Sequence, residues 1–193
     1  MGHPRGFVLP GLALTLTTFV AGCSSSPERT SQGSLAVALG ASRLAAGVQA
    51  AAPSPDDPLA RLKAASITIA DVEARRADGS WVPIDGGLPA VVDLLDLANG
   101  GRTVALPSDL LPEGQHNALQ LRITQVELTR LDGTRTTIAP RGTGWVVLIP
   151  VDFGVVTGRA TIVELIVGLD SLKSVNGDFE FEPEFEVEGV EHD

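Results

Sequence analysis

The sequence is poor in the residues that enzymes use most often for nucleophilic, acid–base and metal chemistry. It contains one cysteine and three histidines, and aromatic residues make up 4% of it. It has no G-x-S-x-G motif, no glycine-rich phosphate loop ahead of a helix and no aspartate-rich calcium loop. We therefore expect no catalytic, cofactor-binding or metal-binding residues, and we expect that the protein is not an enzyme.

Positive charge is also scarce. Lysine and arginine total 14 against 24 aspartates and glutamates, which gives a net charge of −10 at pH 7. Because nucleic acids are polyanions, an acidic chain is a poor candidate for binding them. We expect no nucleic-acid partner.

Residues 1–22 have the pattern of a bacterial export signal. Arg5 supplies a short basic region, and the apolar run at residues 7–20 is too short to span a bilayer. The run ends in VAGC at residues 20–23, which resembles the lipobox of bacterial lipoproteins. The alternative is an ordinary secretory signal followed by a stray cysteine. We favour the lipobox because Cys23 is the only cysteine and lies at the cleavage point.

This resemblance implies that residues 1–22 are removed and that Cys23 becomes an acylated N-terminus. Acylation would use up the only thiol, which leaves no disulfide and no thiol catalysis. Several acyl chains give stable membrane anchoring. Ser24, rather than aspartate, follows the cysteine, and in lipoprotein sorting this favours the outer membrane. We expect Cys23 to be a lipidation site in the cell envelope, with the outer membrane favoured over the inner.

The remaining chain divides into a tether, a domain and a tail. Residues 23–32 are polar and, as a flexible coil, span about 15–18 Å. Residues 33–189 are long enough for one domain with a hydrophobic core, and residues 190–193 form a short tail. Within the domain, residues 41–62 are rich in alanine and contain three prolines, so we expect a long loop there.

A hairpin at residues 110–138 is the strongest structural signal. Apolar and polar residues alternate over residues 119–123, which is the period of a half-buried strand. The apolar phase then changes, which predicts a bulge at residues 124–125. The Asp-Gly pair at residues 132–133 predicts a two-residue turn with positive φ.

The same pattern occurs earlier in the chain. A shift of 54 positions (126 − 72) aligns residues 64–84 with residues 118–138 without a gap. Two interpretations fit this match: a duplicated hairpin, or the general similarity of any two Asp-Gly hairpins. Both give two long antiparallel hairpins, and they predict an all-β antiparallel sandwich.

Shorter elements follow from the local patterns. We expect strands at residues 33–40, 91–97, 103–106, 145–149, 160–169 and 178–188, and at most a helical turn at residues 108–111. The strand at residues 160–169 is apolar on both faces, so we place it inside a sheet.

Four short motifs occur in the order GSLAV (33–37), VDLLDLANG (92–100), LPEGQHNALQLRI (111–123) and FEFEP (179–183). This order resembles a family of bacterial lipoproteins that carry a β-sandwich domain of unknown function, over residues 33–187. The resemblance implies a Greek-key sandwich similar to transthyretin and the carboxypeptidase regulatory domains, without catalytic residues. The chain departs from the family pattern at residues 40–42, where Gly-Ala-Ser replaces Asp-Ala-Pro, and at His116, where tyrosine is usual.

Three side chains could carry chemistry or binding. Once the signal is removed only His116 and His192 remain, which argues against a Ser-His-Asp site or a multi-histidine metal site. We expect His116 to pack and hydrogen-bond at a strand start rather than catalyse. Trp81 and Trp145 could stack on sugar rings or fill the core. The core is favoured for both, and Trp145 supports this because it shares its phase with apolar residues two and four positions later.

Residues 178–188 place a row of carboxylates on one face of the expected last strand. The row comprises Glu180, Glu182, Glu184, Glu186 and Glu188. The favoured interpretation is a solvated edge strand whose charges prevent edge-to-edge pairing. Cross-strand arginines, a divalent cation or a basic partner could offset the repulsion. Calcium is the weaker alternative, because single carboxylates on a flat row do not close around an ion.

These observations lead to one functional interpretation and one alternative. The first is a lipid-anchored β-sandwich of the cell envelope that acts as a non-catalytic binding or structural module. Its partners would be the membrane, through the lipid on Cys23, and an envelope protein or glycan. The alternative is a carbohydrate- or calcium-associated recognition domain, which requires Trp81 or Trp145 to lie exposed beside acidic residues.

Overall fold

The computed structural model describes residues 31–42, 58–106 and 108–193. Within these ranges the chain forms thirteen β-strands and one short α-helix, so the expected all-β sandwich is confirmed. The expected signal, the lipidation site Cys23 and most of the 41–62 loop lie outside the described residues.

The elements follow one another along the chain as strands, apart from the single α-helix and two short 3₁₀ turns. They are β1 (Gln32–Ser42), β2 (Leu62–Arg76), β3 (Trp81–Pro83), β4 (Ala90–Asp93), α1 (Leu94–Gly100), β5 (Val104–Ala105), β6 (Asp109–Pro112), β7 (Gly114–Arg130), β8 (Arg135–Ile138), β9 (Trp145–Val155), β10 (Ala160–Gly168), β11 (Leu172–Val175), β12 (Asp178–Phe181) and β13 (Phe185–His192). The 3₁₀ turns are Pro58–Arg61 and Leu169–Ser171.

The first sheet is built around β1. Strand β10 lies beside β1, β13 forms the edge beyond β10, and the short strands β5 and β6 pair with the other side of β1. The expectation of an interior strand is therefore confirmed for β10. One pairing differs from the antiparallel expectation, because β1 and β10 run parallel. Parallel neighbours need a long connection, and here the chain builds the whole second sheet between them.

The second sheet has the order β3-β2-β7-β8, with β4 also paired to β2 and β9 also paired to β7. The two long strands β2 and β7 pair with each other along almost their whole length. Strand β9 runs along the first half of β7 and β8 along the second half. The change of partner falls at the bulge expected at residues 124–125, since Thr124 has no partner on β2 between the pairs Ile69–Ile123 and Thr68–Gln125.

The internal repeat is visible in the pairing of this sheet. Ala70 is an extra residue on β2, and Thr124, 54 positions later, is the equivalent extra residue on β7. The outer hairpins also correspond, because Glu73 pairs with Pro83 as Glu127 pairs with Thr137, again 54 positions on. The two halves of the sheet are therefore related as the duplicated-hairpin interpretation requires.

Both Asp-Gly turns have the same hydrogen bonds. The Gly79 N–H donates to the Arg76 carbonyl at 2.9 Å, and the Gly133 N–H donates to the Arg130 carbonyl at 2.9 Å. Each glycine has positive φ, +89° and +86°, but neither preceding aspartate does. The loops therefore contain three residues, a type I turn closed by a left-handed glycine, and the expected two-residue turn was wrong. A two-residue turn occurs instead in the β11–β12 hairpin, at Asn176-Gly177, where both residues have positive φ.

Residues 91–97 do not form the single strand that we expected. Strand β4 ends at Asp93, whose carboxylate accepts hydrogen bonds from the backbone N–H groups of Leu95 and Asp96 and so caps α1. The helix ends at Gly101, which adopts the left-handed conformation that favours glycine. The helical turn expected at residues 108–111 was also wrong, because β6 pairs there with the start of β1.

The core lies between the two sheets. Alternate residues of β1 and β10 point inward, and so do alternate residues of β2 and β7, which gives one continuous cluster. Its fully buried members include Leu35, Leu39, Leu165, Ile67, Ile69, Leu119, Leu121 and Ile123. Burying one such side chain contributes about 1.5–3 kcal/mol, so this cluster supplies the main stabilisation. Helix α1 adds Leu94, Leu95 and Leu97 to it.

Candidate functional site

The glutamate row predicted for residues 178–188 is not one row. The segment divides at Pro183 into β12, which belongs to a separate hairpin, and β13, which forms an edge of the first sheet. Proline cannot donate a ladder hydrogen bond, so a break here has a local cause. Buried Ser171 stabilises the segment at this break with two hydrogen bonds. Its carbonyl accepts one from the Glu182 N–H at 2.8 Å, and its hydroxyl accepts one from the Glu184 N–H at 3.2 Å.

The acidic edge-strand part of that prediction is confirmed for β13. Glu186, Glu188 and Glu191 are exposed on this edge. An extra residue, Glu188, interrupts the pairing with β10 between Val187 and Gly189. Charges and a bulge are the usual devices that keep an open edge from pairing with another chain.

Lys173 is a positively charged partner for one of these glutamates, whereas the sequence suggested cross-strand arginines. It lies opposite Glu180 in the β11–β12 hairpin, and its ammonium group donates a hydrogen bond to the carboxylate of Glu182. The hydrogen bond to Glu182, and then the negative charge of the same residue, raise the pKa of Lys173 above its ordinary value. The Asn176-Gly177 turn predicts only that Lys173 lies opposite Glu180, because a two-residue turn fixes the pairing of the residues on either side, and the contact with Glu182 does not follow from that pairing.

A groove runs between this hairpin and the loop at residues 139–144, and we call it the Trp145 groove. Its volume is about 430 Å³. Its aromatic lining residues are half-buried Trp145 and Phe179, with buried Phe181 in contact with Trp145, and its charged lining residues are Arg141, Glu180 and Glu182. A concave site with an apolar surface and a few convergent polar groups is the usual form of a binding site for a small ligand.

Trp145 is held in this groove by packing. The residue starts β9 and is half-buried, and its ring meets Phe181 edge to face with centroids 5.2 Å apart. Aromatic pairs favour this geometry, which fixes the indole against the core. The expectation that Trp145 fills the core is therefore only partly met, since the side chain also lines the groove beside two glutamates.

The expectation that Trp81 fills the core was wrong. Trp81 is 36% exposed on the outer strand β3, and the guanidinium carbon of Arg75 lies 5.8 Å from the centre of its ring. This cation–π contact occupies one side of the ring. Trp145 lies beside acidic residues but is half-buried, so it meets only in part the condition of an exposed tryptophan beside acidic residues.

His116 is a packing residue, as expected, but it does not form the expected hydrogen bonds. It is 1% exposed and stacks on Phe153 with ring centroids 5.0 Å apart. Neither ring nitrogen has a hydrogen-bond partner among the described residues. Burial lowers the pKa of His116, because removal from water penalises the charged imidazolium form.

A second groove, of about 500 Å³, lies near the start of β1. Its lining includes Phe153, Arg159, Thr161 and His192. Phe153 is buried against His116 and offers no open ring face. The Thr161 hydroxyl donates to the Gly154 carbonyl at 2.8 Å and lies 3.3 Å from His192 Nδ1, so these groups already satisfy each other. The Trp145 groove therefore offers the better binding surface.

Two further findings concern metals and the membrane. Across the described residues, no three or more histidine, cysteine, aspartate or glutamate side chains cluster in a way that could hold a metal ion. Of the glutamates expected to form a row, Glu180 lies on β12, Glu182 and Glu184 lie between the strands, and Glu186 and Glu188 lie on β13, so the single flat row on which the calcium alternative rested is absent. No helix within these ranges has the length and apolarity needed to cross a membrane.

The chain is an all-β sandwich with a groove lined by aromatic and charged residues. The chain belongs to the family described as a domain of unknown function (DUF4382), whose family model matches residues 55–183, more than half of the sequence. That match includes β2 to β12 and therefore the whole Trp145 groove. Neither a curated protein nor a solved structure matches the chain.

Proposed function

We propose that the protein is a lipid-anchored component of the bacterial cell envelope whose β-sandwich acts as a non-catalytic binding module. Residues 1–22 would direct export, and acylated Cys23 would hold the protein in the membrane, with the outer membrane favoured. The VAGC motif at residues 20–23 supports this proposal. The two-sheet architecture is also compatible with the proposed likeness to transthyretin and the carboxypeptidase regulatory domains.

The start of β1 supports a position close to the membrane. Gln32 begins the strand nine positions after Cys23 (32 − 23). The segment is tied down at once, because the Glu113 N–H donates to the Ser31 carbonyl at 2.8 Å and the Gly158 N–H donates to the Gln32 carbonyl at 3.1 Å. Nine residues reach at most about 30–32 Å when fully extended, so a lipid on Cys23 would keep the sandwich near the bilayer surface.

The Trp145 groove is the observation that carries the binding role. It combines the half-buried aromatic side chains of Trp145 and Phe179 with a guanidinium group and two carboxylates. The histidines among the described residues support a role other than catalysis. His116 is buried in the core, and His192 lies within hydrogen-bond distance of the Thr161 hydroxyl. A module that binds without catalysis needs only the groove and the anchor.

A pull-down from envelope extracts tests this function. Full-length acylated protein is immobilised as wild type, Trp145→Ala, Glu180→Ala and Trp81→Ala. We expect an envelope component that wild type and Trp81→Ala retain, and that both groove variants lose by about tenfold or more, as expected for a central aromatic contact. Circular dichroism confirms that each variant is folded. Equal retention by all four proteins, or no retained component, would contradict a binding role for the groove.

A further inference from the structure

The charges around the Trp145 groove are balanced. Glu182 is already paired with Lys173, whose pKa that contact raises. Arg141 and Glu180 have no ion-pair partner among the described residues; both line the groove, Arg141 from the 139–144 loop and Glu180 from β12. The Glu180 carboxylate would repel an anionic ligand, and the Arg141 guanidinium would repel a cationic ligand. A neutral ligand avoids both repulsions.

The polar groups also require a ligand that both donates and accepts hydrogen bonds. A guanidinium group only donates, and an ionised carboxylate only accepts. A hydroxyl does both, so a ligand rich in hydroxyl groups can satisfy Arg141 and Glu180 together. Charge-assisted hydrogen bonds of this kind are the stronger ones.

The aromatic lining adds a third requirement. Half-buried Trp145 and Phe179 give the groove apolar ring surface, and the edge-to-face contact with buried Phe181 holds the indole in place. A matching ligand needs an apolar face beside its hydroxyl groups. Sugar rings have this combination, because axial C–H groups form one face while hydroxyls project from the rim.

We propose that the Trp145 groove binds a neutral oligosaccharide, with a sugar ring against Trp145 and its hydroxyls shared between Arg141 and Glu180. This inference rests on the proposed binding function and names the ligand class. A peptide of the envelope is the competing occupant. The volume of the groove, about 430 Å³, lies within the usual range for small-ligand sites, which is large enough for part of an oligosaccharide.

The two tryptophans allow a direct test. Trp81→Phe leaves Trp145 as the only tryptophan, so its fluorescence reports on the groove, and Trp145→Phe leaves Trp81 as a matched control. Both full-length proteins are held in micelles of a detergent without a sugar head group. They are titrated with cellohexaose, chitohexaose, maltohexaose and xylohexaose. We expect a saturable fluorescence change with at least one oligosaccharide in Trp81→Phe, and none in Trp145→Phe.

Second variants identify the polar contacts. In the Trp81→Phe background, Glu180→Gln and Arg141→Gln should each weaken the dissociation constant by about tenfold, because each removes one charge-assisted hydrogen bond. Val91→Ala, on the exposed outer face of β4, should leave it unchanged. If no oligosaccharide changes Trp145 fluorescence, or if both single-tryptophan proteins respond alike, the assignment is overturned. If an envelope peptide recovered in the pull-down saturates the Trp145 signal and the sugars do not, the glycan assignment fails while the binding function stands.

Discussion

Ile69 lies directly opposite Ile123 where β2 pairs with β7, and the two residues are equivalent in the internal repeat because they are 54 positions apart (123 − 69). A residue that pairs with its own equivalent marks the local two-fold relation between the two hairpins. The extra residues Ala70 and Thr124 follow this pair, one on each strand. The centre of the second sheet is therefore also the centre of the repeat.

This relation predicts a matched effect of truncating the two isoleucines. Both are fully buried, so Ile69→Ala and Ile123→Ala should each lower the free energy of unfolding by about 2–5 kcal/mol. Because the residues are neighbours, the loss in the double variant should depart from the sum by about 0.5–3 kcal/mol. Urea unfolding followed by fluorescence measures all three. The exposed Val91→Ala is the control, and a single isoleucine variant that matched this control would contradict the pairing.

The two Asp-Gly turns predict equal sensitivity at their glycines. A β-carbon at Gly79 or Gly133 would meet no atom within 4 Å, so only the positive φ opposes a side chain. Gly79→Val and Gly133→Val should each cost about 1–3 kcal/mol of stability through backbone strain. Gly133→Asn should cost less, because asparagine tolerates the left-handed region better than a β-branched residue. An unchanged urea midpoint for Gly133→Val would contradict this turn geometry.

His116 predicts a loss of stability in mild acid. Burial lowers its pKa in the folded state, so below the ordinary value of 6.5 the unfolded chain binds more protons than the folded chain. The contribution of neutral His116 is therefore complete above about pH 6.5 and is lost as the pH falls towards the lowered folded pKa. His116→Phe should remove this dependence, and it should also add about 1–3 kcal/mol at pH 7 because two unpartnered nitrogens leave the core.

Urea unfolding at several pH values between 7 and 5 measures this effect. His192→Gln is the matched control, because His192 lies on the exposed end of β13 and its replacement should keep the acid-side loss of wild type. If His116→Phe showed the same pH dependence as wild type, the loss would have to come from other groups.

The divided glutamate segment predicts no calcium-specific stabilisation. The variant Glu182→Gln/Glu184→Gln/Glu186→Gln should melt close to wild type, because these carboxylates lie in separate, exposed or half-exposed positions. A calcium site would add about 2.7 kcal/mol at a hundredfold excess over its dissociation constant. Thermal melts in calcium, magnesium and chelator, at matched ionic strength, separate the cases. An increase in Tm with calcium alone, present in wild type and absent in the variant, would contradict this prediction.

The long strands and their repeat were predictable from the sequence because their signals are local and periodic. The alternation over residues 119–123 predicted β7, and the change of phase predicted the bulge at Thr124. The Asp-Gly pairs predicted the two points at which the chain reverses direction. The order of partners was less accessible. The parallel contact of β1 with β10 joins segments more than a hundred positions apart, and alternation within each strand contains no information about its neighbour.

The errors in the shorter elements also have physical causes. Strand β4 and helix α1 share the apolar run at residues 91–97, which a strand or a helix fits equally well, and the Asp93 cap decides between them. At residues 178–188, the alternation of apolar and acidic residues continues across Pro183, although the strand is interrupted there. The aromatic and acidic residues of the groove, Trp145 and the glutamates, were recognised as candidates from the sequence. Its basic residues were not, because Arg141 and Lys173 approach the glutamates only in the folded chain.

Membrane fractionation of the Cys23→Ser variant, combined with mass analysis of the N-terminal peptide, is the most direct test of the central claim that the sandwich is held in the envelope by a lipid. For wild type we predict a membrane-bound protein whose first residue is acylated Cys23. For Cys23→Ser we predict a protein released from the membrane fraction or an uncleaved precursor that retains residues 1–22. A Cys23→Ser protein that still fractionated as a mature, acylated membrane protein would contradict the account.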